Sequence, residues 1–130
     1  MPTIDHAAVW VRDLEGAREF YATWFGGRPN ELYHNPRTGL RTYILDFGGG
    51  ARLELMTRPD VADDGAGDRF GWAHISFAVE DTDAVDDLAR RLREGGVEVV
   101  DGPRRTGDGY YEAALLDPEG NRVEIVAAYR

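Results

Sequence analysis

From His6 to Val11 the side chains alternate: Ala7, Val9 and Val11 form an apolar set, with His6, Ala8 and Trp10 between them. A period of two predicts a strand with one face turned toward a core. At Asp13 the period changes. Leu14, Ala17, Phe20, Tyr21 and Trp24 recur at helical spacing, Asp13 stands where an N-cap belongs, and Gly26-Gly27 supplies a stop. Extended stretches are predicted next at 31–33, 42–47 and 52–56.

The pattern then returns. HAAVWVRDLEGAREFYATWFGGR, beginning at His6, is answered by HISFAVEDTDAVDDLARRLREGGVEV, beginning at His74, with His6/His74, Val11/Val79 and Asp13/Asp81 in register at an offset of 68. The second helix gathers Val85, Leu88, Ala89 and Leu92 on one face and ends at Gly95-Gly96, and strands are predicted at 97–100, 111–116 and 122–127. Arg52-Leu53-Glu54-Leu55 reappears as Arg122-Val123-Glu124-Ile125. Hairpin turns are predicted at Gly48-Gly49-Gly50, at Gly107-Asp108-Gly109 and at Asp117-Pro118-Glu119-Gly120-Asn121. The expectation is an α+β chain of two tandem βαβββ modules. Module one covers about 1–57 and module two about 72–130, with an Asp-, Gly- and Pro-rich connector at about 58–71, all within one domain spanning 1–130.

Composition narrows the chemistry. The net charge is -9 and the basic residues form no long run, which argues against a nucleic-acid partner. There is no cysteine, so a metal would have to rest on His, Asp and Glu. The start, Met-Pro-Thr-Ile-Asp-His, is neither basic nor apolar, so no membrane association is expected and the cytoplasm is the default.

The same period of two places His6 with Ala8 and Trp10, and His74 with Ser76 and Ala78, each opposite the apolar set that suits a helix. Glu54 and Glu124 likewise oppose Leu53/Leu55 and Val123/Ile125. A single strand histidine is more often a core or surface residue than a ligand, and either glutamate alone has a bland alternative in a salt bridge to Arg52 or Arg122. Recurrence changes the balance, because two of three histidines and two inward glutamates occupy equivalent places in both copies. His34 has no counterpart and reads as a solvated loop residue. Trp10, Tyr43, Met56, Tyr110 and Tyr111 are candidates to line a pocket, with plain packing as the alternative.

The strand histidine before a helix, then R-L-E-L, A-H-I-S-F-A-V-E-D and L-D-P-E-G-N-R-V-E-I, resembles the vicinal oxygen chelate superfamily over nearly the whole chain, and within it the glyoxalase I group. Asp117-Pro118-Glu119-Gly120-Asn121-Arg122-Val123-Glu124 is the most specific segment. The resemblance implies an open, cupped mixed sheet with the helices on its outer face, and commonly a homodimer whose paired modules complete each site. It places the family's His, Glu, His, Glu ligands on His6, Glu54, His74 and Glu124. One divalent metal per site would be held there: Ni, Zn, Co, Mn or Fe.

In glyoxalase-like enzymes a ligating glutamate is the base, and the match puts that role on Glu124, with Glu54 second. The implied function is metal-dependent proton-transfer isomerisation of an α-oxygenated carbonyl substrate, a thiol adduct being one candidate, through a metal-bound enediolate, as in lactoylglutathione lyase. Relatives suggest rivals: an extradiol dioxygenase with iron on two histidines and one glutamate, thiol transfer to an antibiotic epoxide, or a bleomycin-resistance-like protein that sequesters a small molecule.

Overall fold

The computed structural model describes residues 3–62 and 70–128. Part of the expected connector, 63–69, lies outside the described residues. The chain divides into two compact units, residues 1–65 and 66–130.

In the first unit, β1 (His6–Trp10) leads into α1 (Leu14–Phe25), followed by β2 (Arg28–Pro29), β3 (Tyr33–Asn35), β4 (Leu40–Asp46) and β5 (Arg52–Thr57). The sheet runs β1-β5-β4-β2, with β3 also paired to β4; β1 and β5 are parallel and the other pairs antiparallel. In the second unit, β6 (Ile75–Ala78) is followed by α2 (Thr82–Glu94), β7 (Val99–Arg105), β8 (Tyr110–Leu116) and β9 (Arg122–Ala128), in the order β6-β9-β8-β7. Here β6 and β9 are the parallel pair. Each unit is thus a βαβββ-type module with an open mixed sheet, as expected, with one more strand in the first.

Both helices begin and end where local chemistry dictates. The Asp13 carboxylate accepts from Gly16 N at 3.0 Å and that of Asp81 from Ala84 N at 2.9 Å, each satisfying an otherwise unpaired amide of the first turn. Gly26 closes α1 in the left-handed conformation at φ 70°.

Packing follows the two periodicities. Leu14, Ala17, Phe20 and Tyr21 are buried on α1, with Tyr43, Leu45, Leu53 and Leu55 buried on the sheet. Tyr43 pairs across to Leu55 and Leu45 to Leu53. In the second unit the buried sets are Val85, Leu88, Ala89 and Leu92 on α2 and Ala113, Leu115, Val123, Ile125 and Ala127 on the strands. Burying one such Leu or Ile contributes about 1.5–3 kcal/mol.

Three expectations need correction. The single strand expected at 31–33 is replaced by β2 and β3, and His34 belongs to β3, paired with Arg41. Its turn-rich neighbours Pro36 to Gly39 close a hairpin rather than extend a loop. Ala7 is exposed and Val9 only half-buried, because α1 lies over β2, β4 and β5 and leaves β1 at the sheet edge. Ile75 and Phe77 on the edge strand β6 are half-buried for the same reason. Finally, β7 starts at Val99 and its pairing with β8 shifts register between Val99 and Arg104, where β7 holds two more residues than β8.

Candidate functional site

Each sheet turns one face away from its helix, and the histidines and glutamates lie on that open face. In the first unit the parallel register sets His6 beside Arg52 and Ala8 beside Glu54. His6 Nε2 lies 3.7 Å from Glu54 Oε1. On the other side of the ring, Nδ1 meets Asp5 Oδ2 at 2.7 Å, and Arg52 Nη2 donates to the same oxygen at 2.6 Å. With the Nδ1 hydrogen directed to Asp5, the Nε2 lone pair faces Glu54, the arrangement usual for a metal-binding imidazole. The hydrogen bond from His6, followed by the Arg52 guanidinium, holds the Asp5 carboxyl below its ordinary pKa.

In the second unit Ser76 is in register with Glu124, and His74 immediately precedes that strand. His74 Nε2 lies 3.2 Å from Glu124 Oε1. Glu124 is 8% exposed. Ser76 Oγ donates to its Oε1 at 3.4 Å and Arg122 Nε to its Oε2 at 3.3 Å. A further carboxyl stands beside it: Glu112 of β8, whose pKa is raised first by burial, then by its hydrogen bond with Glu124 and by that group's charge. Glu112 was missed in the sequence reading. The signal was present, since counting by twos from Leu116 through Ala114 reaches Glu112 on the same face as Glu124.

The structure therefore brings His6 to Glu54, and His74 to Glu124, within their own units. Among the described residues, no three His, Asp or Glu side chains are gathered as a metal-holding group. The donor chemistry still suits a divalent ion: each pair offers one imidazole nitrogen and one carboxylate oxygen, and Glu124 is a largely buried carboxylate with a second carboxyl against it.

The pocket-lining candidates separate by face. Trp10, Met56 and Tyr110 share the open faces, Trp10 being 42% and Tyr110 45% exposed. The Arg58 guanidinium stacks over the Trp10 ring at 4.9 Å. Tyr43 and Tyr111 point the other way, each tying a strand to its helix. The Tyr43 hydroxyl donates to Glu15 at 2.8 Å and the Tyr111 hydroxyl to Asp86 at 2.5 Å.

Each βαβββ unit thus carries one histidine–glutamate pair on its open face, and comparison with known proteins shows the family. A family model described as the Glyoxalase/Bleomycin resistance protein/Dioxygenase superfamily matches residues 3–125, and the chain belongs to that superfamily. An uncharacterized protein of Pseudomonas aeruginosa is 34% identical, over 95% of this chain and 87% of its own. Among solved structures, the trypanothione-dependent glyoxalase I of Leishmania major superposes with a TM-score of 0.79 at 23% identity, covering 98% of this chain and 87% of that one. A glyoxylase/bleomycin resistance protein/dioxygenase domain from Frankia sp. gives 0.82 at 21%, over 99% of both chains. Lactoylglutathione lyase from Agrobacterium tumefaciens gives 0.70 at 24%, over 96% and 92%. At these identities the three structures establish the fold. No described helix is long and apolar enough to cross a membrane.

Proposed function

We propose that the protein is a metal-dependent, glyoxalase I-like enzyme that moves a proton between adjacent carbons of an α-oxygenated carbonyl substrate. One observation carries this reading: a histidine–glutamate pair recurs on the open face of each unit, His6 with Glu54 and His74 with Glu124. In this reading His6, Glu54, His74 and Glu124 would hold one divalent ion, Ni, Zn, Co, Mn or Fe, in a cytoplasmic homodimer, and the ion would supply Lewis-acid chemistry that makes the C–H beside a substrate carbonyl more acidic.

The chain's own residues do the rest. Glu124 takes the proton from the acidified carbon and returns it to the adjacent one. Ser76 and Arg122 hold its two oxygens in one orientation, so little reorganisation is needed when the substrate arrives. Asp5 fixes the His6 ring with Nε2 toward the site. The substrate class supported is a 2-oxoaldehyde–thiol adduct or another α-hydroxycarbonyl compound.

Metal content of the purified protein tests the reading. About one divalent ion per chain is expected, lost in the His6→Ala/His74→Ala variant; absence of metal after reconstitution and dialysis would sink it.

A second reading, sequestration of a cationic aromatic drug without catalysis, is favoured by Trp10 and Tyr110 standing half-exposed on the open faces. Retained drug binding by metal-free protein, with no turnover in the loaded form, would select it.

A further inference from the structure

The open face of the first unit carries a second feature beside the His6–Glu54 pair. A shallow, open cleft of about 410 Å³ is lined by Arg28, Pro29, Asn30, Ile44, Asp46 and Arg52, with Arg28, Asn30 and Asp46 exposed at its rim. Register ties it to the half-site: Ile44 is paired with Glu54 across β4 and β5, and Arg52 with His6 across β5 and β1.

The polar groups of the cleft are mostly donors. The backbone of Arg28 pairs with Asp46, but its guanidinium, which offers five N–H groups, has no hydrogen bond or ion pair among the described residues. Asn30 uses its Oδ1 to accept from Ile44 N at 2.8 Å, which leaves its Nδ2 hydrogens for a ligand. Arg52 spends one nitrogen on Asp5. The one acceptor side chain, Asp46, has its Oδ1 occupied by Gly48 N at 2.8 Å. A chain of net charge -9 thus holds a cleft whose two arginines outnumber its single carboxylate.

We infer that this cleft binds a carboxylate group of the substrate, with Arg28 as its main contact. A planar fork of N–H groups matches a carboxylate through two parallel hydrogen bonds. With Arg52 already paired to Asp5, Arg28 is the cation left to meet a ligand, and it suits a singly charged carboxylate better than a doubly charged phosphate, which Asp46 repels. The inference deepens the proposed function and rests on it for the identity of the ligand as substrate: the molecule would carry a carboxylate at one end and its vicinal oxygens at the other. Arg28 stands two strands from Glu54 and two residues along, so the backbones are about 12 Å apart by ordinary sheet spacing, and the long arginine side chain narrows that gap.

Titration of the full-length, metal-free protein with glutarate, pentanoate and inorganic phosphate, followed by calorimetry and by amide NMR shifts, tests the cleft apart from the metal. Glutarate should bind at least tenfold more tightly than phosphate and shift the amides of Asn30, Ile44 and Asp46, as should pentanoate with its single carboxylate. Arg28→Gln should weaken both carboxylates about tenfold, and Asp46→Asn, which keeps the acceptor for Gly48 N but removes the charge, should tighten them. Equal binding by Arg28→Gln, tighter binding of phosphate, or shifts confined to residues outside the cleft would overturn the inference. Metal uptake on reconstitution of the same protein separates the two ideas: carboxylate binding by protein that takes up no metal removes the enzyme reading and leaves the cleft, whereas metal uptake with no carboxylate effect does the reverse.

Discussion

The two units repeat a His–Glu pair but support it from opposite ends. In the first, the histidine is the anchored member: Asp5 and Arg52 fix its ring, while Glu54 stands 3.7 Å away with more solvent around it. In the second, the glutamate is anchored by Ser76 and Arg122 and pressed by Glu112, and among the described residues no carboxylate is bonded to His74 Nδ1. Duplication of a sequence motif therefore does not duplicate its surroundings: in the first unit the histidine is the tethered member of the pair, in the second the glutamate.

The largest effect that would break this asymmetry is on turnover. Glu124→Gln should reduce it by roughly 10²–10⁴-fold, the usual contribution of a positioned base, with metal largely retained. Glu54→Gln should lose metal before it loses chemistry. Equal losses in the two variants, measured as turnover per bound ion, would make the halves interchangeable. Next in size is the core beneath each half-site. Leu55→Ala removes a fully buried side chain under α1 and should cost about 2–5 kcal/mol in denaturant unfolding.

A smaller effect sharpens the contrast around the histidines. Asp5→Asn should weaken metal binding about 10–100-fold through the loosened His6 ring, read by competition with a chelator. The neighbour of His74, Ala73, offers no comparable handle. The smallest effect probes what the units share. Tyr43→Phe should cost about 1 kcal/mol by removing the strand-to-helix hydrogen bond. That bond to Glu15, with burial second, raises the Tyr43 pKa above its ordinary 10.0. Since the folded value exceeds the unfolded one, the associated stability is fully present below about pH 10 and is lost as pH rises through the folded value. Unfolding midpoints between pH 9 and 11.5 should fall more steeply in the parent than in Tyr43→Phe.

Local rules made much of this legible in advance. Asp13, Asp81 and Gly26 act through atoms one turn away, so spacing alone located the helix ends. The period of two placed both glutamates correctly opposite Leu53/Leu55 and Val123/Ile125. It also held the answer for Tyr43, which shares a parity with Leu45, and for Tyr111, which shares one with Leu115; both had been grouped with pocket-lining residues. What spacing could not reveal depends on partners distant in sequence. The pressure of Glu112 on Glu124 exists only because β8 and β9 pair in that register, and the split of β2 from β3 only because both find β4.

The turns before β5 and β9 also differ, with a consequence for redesign. The Asp117 carboxylate accepts from Glu119 N, Asn121 N and Asn121 Nδ2, so that turn is knotted from within and any inserted residue would untie it. At Gly48, Gly49 and Gly50 all three φ angles are positive and an added Cβ would meet nothing within 4 Å. Side chains are strained at those φ values, but a longer glycine-rich loop is tolerated, since each doubling of a flexible loop costs only about 0.6 kcal/mol. Because Gly48 N is bonded to Asp46, new sequence grafted at this point grows from the rim of the Arg28 cleft, making the glycine turn the natural port for retuning which molecules the protein accepts.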